Sequence, residues 1–303
     1  MTGRIAVTGA DGFVGRAVVE TLRRRRAEAV PLVRRLHEGA PEGARATGDL
    51  ERAASLGALL EGVRAVVHCA ARAHVLREEA ANPLAAFRAV NRDATLALAR
   101  AAAGAGVRRF VFFSSIGVLG GETNGRPFRA DDPRAPHSDY AIAKAEAEEG
   151  LKAVAAETGL EIVILRPPLV LGRGAKGNLG LLVGAMRKGL PLPLGAVTGN
   201  RRDLVSLETL ADLVATVIDH PAAAGATLLV ADGRPLSTRA IVERLAALEG
   251  LRPRLVSLPP RLLGGLLRLL GRGALASQLL GDLELDIAAT RDRLGWRGTE
   301  PER

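Results

Sequence analysis

The sequence predicts an α/β protein: a doubly wound parallel sheet with a smaller, mainly helical C-terminal region. Three observations predict it. Short β-branched runs alternate with longer helical patterns over the first two-thirds of the chain. A glycine-spaced turn follows the first run and opens the first helix. Beyond Arg166-Pro167 the pattern shifts to Gly- and Pro-rich stretches with helical pieces between them. Alternating strands and helices imply βαβ units and a parallel sheet covered on both faces.

In chain order, residues 5–8 read as a strand, 13–25 as a helix, 29–33 and 65–69 as strands, and 83–103 as a long Ala-rich helix. Residues 110–114 are the next strand, 138–157 a helix, and 161–165 a strand that ends at Arg166-Pro167. Residues 205–231 read as strand, helix, strand, the last adding an edge to the sheet at 227–230. This divides the chain into a dinucleotide-binding unit, 1–166 plus 202–232, and a smaller substrate-binding region, 167–201 plus 233–303. Residues 262–280 mix leucines with arginines. They are read as the core-facing helix of the smaller region with its arginines in water; a basic helix lying on a membrane surface is the other reading.

Composition excludes several classes. No stretch reaches the roughly 20 apolar residues of a membrane span, and no secretory signal is expected before the first strand. A single cysteine, Cys69, rules out an intrachain disulfide, and a cytoplasmic location is expected. The net charge of +9 comes from dispersed arginines, with only four lysines. It carries no nucleic-acid motif or aromatic interleaving, so nucleic-acid binding is not expected. The five histidines lack metal-ligand spacing and the cysteine pairs with none of them, so no metal is expected.

The turn Thr8-Gly9-Ala10-Asp11-Gly12-Phe13-Val14-Gly15 has the G-x-x-G-x-x-G spacing of a Rossmann-type phosphate site. Gly9 permits the tight turn, Gly12 lets the backbone approach a pyrophosphate, and Gly15 lets the helix pack closely on the strand. Free N–H groups at the helix start, at Phe13 and Val14, then face the phosphates. The second strand ends in Val33-Arg34-Arg35, without the acidic residue that would hold an unmodified adenosine ribose. Arginine there suits a 2′-phosphate, so NADP is favoured over NAD. Arg16 is placed to assist, and a solvated surface charge is the other reading of each arginine.

Tyr140 and Lys144 form a Y-x-x-x-K pair at i, i+4 near a helix start. A phenol, with an ordinary pKa of about 10, needs a nearby ammonium to act as a base. Tyr140 is the sole tyrosine of the chain. Ser114 and Ser115 end a strand where parallel sheets place their ligands. Ser115 is chosen to bind the substrate oxygen, with Ser114 the alternative. His137 is read as a loop residue in solvent.

These motifs, with Gly48-Asp49-Leu50, His68-Cys69-Ala70-Ala71, Asn91 and Arg166-Pro167-Pro168, resemble the extended short-chain dehydrogenases that act on nucleotide sugars, the NAD-dependent epimerase/dehydratase family. The resemblance covers nearly the whole chain. It implies that Asp49 and Leu50 contact the adenine, that Ala70 and Ala71 line the cofactor groove, and that Asn91, Lys144 and Pro167 also meet the cofactor. It implies that Asn178 and Arg202 contact the nucleotide diphosphate, so that a UDP-sugar is the expected partner, with a homodimer an open option. The 166–202 stretch looks like the UDP-N-acetylquinovosamine dehydrogenase group. That likeness implies C4 reduction of a UDP-4-keto-6-deoxy-N-acetylhexosamine, with UDP-glucose or UDP-GlcNAc 4-epimerisation as the alternative and a non-catalytic dinucleotide-binding regulator as the remote one. The family's usual tyrosines are replaced here by Leu119 and Leu171.

Overall fold

The computed structural model of the chain describes residues 3–50, 56–73 and 80–298; His74 lies outside them. In chain order the first elements are β1 (Arg4–Thr8), α1 (Phe13–Arg24), β2 (Ala29–Val33), β3 (Arg45–Ala46), α2 (Leu56–Leu59), β4 (Val63–His68), α3 (Pro83–Arg88), α4 (Ala94–Gly104), β5 (Arg109–Phe113), α5 (Asp139–Thr158) and β6 (Glu161–Arg166). They are followed by β7 (Leu169–Leu171), α6 (Gly177–Arg187), β8 (Pro191–Leu192), β9 (Leu204–Ser206), α7 (Leu207–Val217) and β10 (Thr227–Leu229). The chain closes with α8 (Thr238–Glu249), β11 (Arg254–Leu255), α9 (Pro260–Leu269), α10 (Gly273–Leu280) and α11 (Ala288–Leu294).

Seven strands form one parallel sheet in the order β10-β6-β5-β4-β1-β2-β3. The two-residue side-chain period splits their apolar residues between two cores. Ile5, Val7, Ala65, Val67, Val111 and Val163 meet α1, α7 and α11 on one face. Ala6, Val66, Phe110, Phe112, Ile162 and Ile164 meet α2, α4 and α5 on the other. Register aligns the carboxyl ends: Thr8 sits beside His68, His68 beside Phe112, and Phe113 beside Leu165. The chain order reverses between β1 and β4, and ligands of such sheets bind in the crevice outside that point.

The expected long helix at 83–103 is instead α3 and α4 joined by a π-helical turn, Ala89–Asp93. The wider turn brings Asn91 inward, where it is fully buried.

The smaller lobe has a core of Leu171, Leu179, Val183, Leu194, Val242 and Leu245. Two parallel pairs, β7 with β9 and β8 with β11, brace it. Two features around this lobe refine the expectation. The division that assigned all of 233–303 to it breaks at the C-terminus: Leu294 and Trp296 pack in the first face of the large sheet, and the Trp296 indole donates to Asp212. Residues 262–280 are two helices, broken at Gly271, whose φ is +70°. Only one side of α9 faces the core, through Leu263 and Leu267. Leu262, Leu266, Leu269 and Leu270 are 62%, 49%, 85% and 62% exposed. The leucine doublets supply enough apolar residues for two faces, and the lobe covers one. Among the described residues no helix is long and apolar enough to cross a membrane.

Candidate active site

Gly9 has φ +62°, and a Cβ there would stand 2.8 Å from both N and Cα of Ala70. A Cβ on Gly15 would strike the carbonyl oxygen of Gly9. The turn is therefore closed tightly against the β4 end and leaves no room for side chains. Gly12 caps α1 without a side-chain hydrogen bond, so the first N–H groups of the helix, those of Phe13 and Val14 among them, remain for an anion. This backbone cradle fits a dinucleotide pyrophosphate. The Phe13 ring leans on the core of the small lobe. Arg16 is turned to the carbonyls of Asp11 (3.2 Å) and Gly39 (2.5 Å), bracing the turn against the loop after β2.

Behind the turn runs a buried chain of hydrogen bonds. His68 Nδ1 meets Thr8 Oγ1 at 2.7 Å, and its Nε2 meets Thr95 Oγ1 at 3.0 Å. Thr8 Oγ1 also accepts from Ala70 N–H. Burial drives the His68 pKa down to about 3, with a further push from Lys144. The imidazole is thus a neutral spacer joining β1, β4 and α4. Burial likewise pushes the Cys69 thiol well up, so it stays protonated.

The remaining cofactor candidates separate. Arg34 and Arg35 are exposed at the end of β2, as is Asp49. Leu50 is half-buried against the inner core. Ala70 and Ala71 continue from β4 beside the glycine turn. Asn91 departs from a direct cofactor contact: its Oδ1 accepts from Arg72 N–H at 2.9 Å and its Nδ2 donates to Arg72 C=O at 3.0 Å. With both polar ends engaged, it clamps the loop that carries Ala70 and Ala71. Pro167 is buried and its carbonyl accepts from Ile116 N–H.

Helix α5 begins at Ser138, whose side chain accepts from Ala141 N–H. Tyr140, Lys144 and Glu148 then recur at i, i+4, i+8 on one face. Tyr140 is half-buried, its ring edge-on to Phe87 at 6.2 Å. Lys144 is 1% exposed. Its ammonium donates to Phe113 C=O at 2.7 Å and lies 4.4 Å from the Phe112 ring centre and 5.8 Å from that of Tyr140. Burial lowers Lys144 to about 7, against the pull of Glu148, and raises Tyr140 to about 12. In the protein alone the phenol is therefore a proton donor at neutral pH. Burial sets the Tyr140 shift, and no depression by Lys144 accompanies it.

The two serines separate as well. Ser114 is turned away from the cleft: its hydroxyl donates to buried Glu148 at 2.6 Å. Arg166 donates to the same carboxylate through Nε (2.9 Å) and Nη2 (2.6 Å), and to Ala130 C=O through Nη1. Ser114 is thus withdrawn from substrate binding. Ser115 caps the short 3-10 turn Ile116–Val118 by accepting from Gly117 N–H at 3.0 Å, which leaves its own hydroxyl proton to donate. His137 is exposed, but its ring is pinned to Gly117 C=O at 3.1 Å. Glu148 was missed from sequence although the α5 stripe pointed to it.

Across the cleft, Asn178 at the start of α6 donates to Gln278 at 2.8 Å, and Arg202 donates to Gly281 C=O at 2.8 Å. Burial pulls the Arg202 pKa below its usual range. Ser277 donates to Glu122 at 2.7 Å, tying α10 to the segment that follows the serines. Leu119 and Leu171, which stand where tyrosines were expected, are both buried packing residues.

A dinucleotide cradle at the sheet switch point, with a Tyr–Lys pair beside a free serine hydroxyl, is an oxidoreductase arrangement, and residues 5–231 match the NAD dependent epimerase/dehydratase family. The chain belongs to this family. It is accordingly an NAD(P)-dependent enzyme of the extended short-chain dehydrogenase kind. A UDP-glucose 4-epimerase of Vibrio cholerae is 39% identical over 98% of this chain and 91% of its own length. A ceramide reductase of Caulobacter vibrioides is 30% identical over 85% of this chain and 74% of its own. The structure of the Thermus thermophilus UDP-glucose 4-epimerase complexed with NAD superposes with a TM-score of 0.75, at 26% identity, over 97% of this chain and 93% of that one.

Proposed function

We propose that this family member interconverts the C4 carbinol and ketone of a UDP-hexose, and that it acts as a UDP-hexose 4-epimerase. The observation that carries this reading is the 39% identity, over nearly the full length of both chains, to the Vibrio cholerae UDP-glucose 4-epimerase. Gly9, Gly12 and Gly15, with the N–H groups that open α1, would hold the nicotinamide dinucleotide, which supplies a hydride acceptor and donor. In its phenolate form Tyr140 takes the C4 hydroxyl proton during oxidation, and as the phenol it returns it during reduction. Ser115 donates a hydrogen bond to the C4 oxygen, and Lys144 sets the electrostatics of the pair and holds the nicotinamide ribose. Asn178 and Arg202 take the diphosphate from the lobe side, a guanidinium being well shaped for phosphate oxygens. Exchanging Gln278 and Gly281 for phosphate frees both donors.

A second reading, C4 reduction of a UDP-4-keto-6-deoxy-N-acetylhexosamine with NADPH, is favoured by exposed Arg34 and Arg35 at the end of β2. The protonated state of Tyr140 also suits donation to a ketone. Both readings place the reaction in the cytoplasm, where the lone Cys69 stays reduced.

The test offers purified protein UDP-glucose and UDP-GlcNAc with NAD, and separately the 4-keto sugar with NADPH. Interconversion of the C4 epimers, with NAD co-purifying, is expected. Consumption of NADPH with the keto sugar alone overturns the epimerase in favour of the reductase, and no turnover in either arm overturns both.

A further inference from the structure

The exposed side of α9 has no role in the cleft. Leu262, Leu266, Leu269 and Leu270 stand at i, i+4, i+7 and i+8, one continuous stripe of a helix, and all four face solvent. They are four of the ten large apolar residues exposed among the described residues, gathered on one ten-residue helix and its C-cap. The opposite side, through Leu263 and Leu267, packs in the lobe core. The helix is therefore anchored, and its second apolar face is not an accident of fraying.

Arg261 and Arg268, at i and i+7, lie on the flank of that stripe, Arg272 follows beyond the break at Gly271, and all three are exposed. No ion pair engages them among the described residues. From Glu249 to Asp282 the chain carries five arginines and not one acidic residue between those two ends. Elsewhere several exposed arginines have carboxylate partners, as with Arg126 and Asp132 or Arg201 and Glu284.

We propose that α9 is a docking face for an anionic lipid bilayer, with the four leucines entering the headgroup–acyl boundary and the arginines meeting lipid phosphates. A bilayer matches both halves of the surface: apolar depth for the leucines and negative charge beside it. Long arginine side chains reach upward from an apolar contact to the charged layer. A second copy of this chain fits worse, because a two-fold contact through α9 would bring the arginines together with no acid on the helix to offset them. Helix α10, which follows directly, holds Asn178 through Gln278 and Glu122 through Ser277. The docked hairpin would thus lie next to the lobe side of the cleft and hold the enzyme at the membrane surface. This goes beyond the proposed reaction and does not depend on which C4 chemistry is correct.

The experiment is co-sedimentation of the full chain with vesicles of equal parts phosphatidylcholine and phosphatidylglycerol, and with phosphatidylcholine alone. Binding to the mixed vesicles, little binding to the neutral ones, and weakening with salt are expected. Leu266→Glu and Leu269→Glu, both at exposed positions, each lower partitioning roughly tenfold; Arg268→Glu lowers it and flattens the salt dependence. Turnover in solution stays at the wild-type value in all three, which shows that the fold is intact. No binding to the mixed vesicles, or binding that the leucine variants leave unchanged, overturns the proposal. So does a wild-type dimer in light scattering that Leu269→Glu dissociates, since the face then belongs to a second copy.

Discussion

The two walls of the cleft are made in different ways. On the sheet wall the working groups are buried and joined by short, largely buried hydrogen bonds: Lys144 to Phe113, Ser114 and Arg166 to Glu148, His68 between Thr8 and Thr95, Asn91 to Arg72. On the lobe wall Asn178 and Arg202 hold only a neighbouring side chain or a loop carbonyl, nearer to water. A rigid wall holds reacting atoms in place, which chemistry requires. An adaptable wall exchanges its internal partners for a ligand. Under the proposed roles of these residues, catalysis and recognition are separable here, and mutations on the two walls should have different signatures.

The largest effect is expected at Glu148. Glu148→Ala leaves the Arg166 guanidinium, itself 3% exposed, without its carboxylate. Breaking a buried pair in this way costs about 3–5 kcal/mol. Urea unfolding should show a loss of that order, and a loss below about 1 kcal/mol would mean the cluster is not what locks the strand ends.

The next effect is a pH dependence. His68 has a folded pKa of about 3 against an ordinary 6.5, so the unfolded chain takes up the proton first. Its contribution is complete above about pH 6.5 and is lost as pH falls from 6.5 towards 3. The full swing is at most about 5 kcal/mol at 1.36 kcal/mol per pKa unit. Wild type and His68→Gln should diverge in stability only within that window; parallel curves would contradict a buried neutral imidazole.

Chemistry on the same wall comes third. Tyr140→Phe should lower turnover about 10²-fold or more while leaving stability and dinucleotide affinity close to wild type. Near-normal turnover would remove Tyr140 from the mechanism. Because Tyr140 is the only tyrosine, the phenolate absorbance of the whole protein reports this one group, and in the free enzyme it should appear near pH 12.

Most of the sheet wall is legible in the sequence, because its determinants are local. The glycine spacing placed Gly9, Gly12 and Gly15, and the Y-x-x-x-K spacing placed Lys144, without knowledge of the fold. Two further features follow from the same rules. The alternation that turns Phe110 and Phe112 toward α5 turns Ser114 there too, and the i, i+4, i+8 stripe from Tyr140 leads to Glu148. The clamp by Asn91 is not legible, because a π-helical turn shifts the helical phase at that residue. Nor is the packing of Trp296 under the sheet, a contact 84 residues from Asp212. On α9 the leucine doublets satisfy an inward and an outward face equally, so only the lobe's shape shows which leucines stay in water.

The smallest expected effect tests the lobe wall. Gln278→Ala removes the internal partner of Asn178, an exposed hydrogen bond worth about 0.5–1.5 kcal/mol at most. If the lobe wall is adaptable, stability changes by less than about 0.5 kcal/mol, as for most surface substitutions. The kinetic change should then fall on KM, because Gln278 touches none of the sheet-wall groups that carry the chemistry. Freed from its partner, Asn178 no longer has to give up a hydrogen bond to meet the diphosphate, so KM for the UDP-sugar should fall or stay level while kcat is unchanged. Asn178→Ala, which removes the proposed ligand donor, should raise KM severalfold with kcat again unchanged. A drop in kcat in either variant would show that the lobe helps position the reacting carbon, and the separation of the two walls would fail.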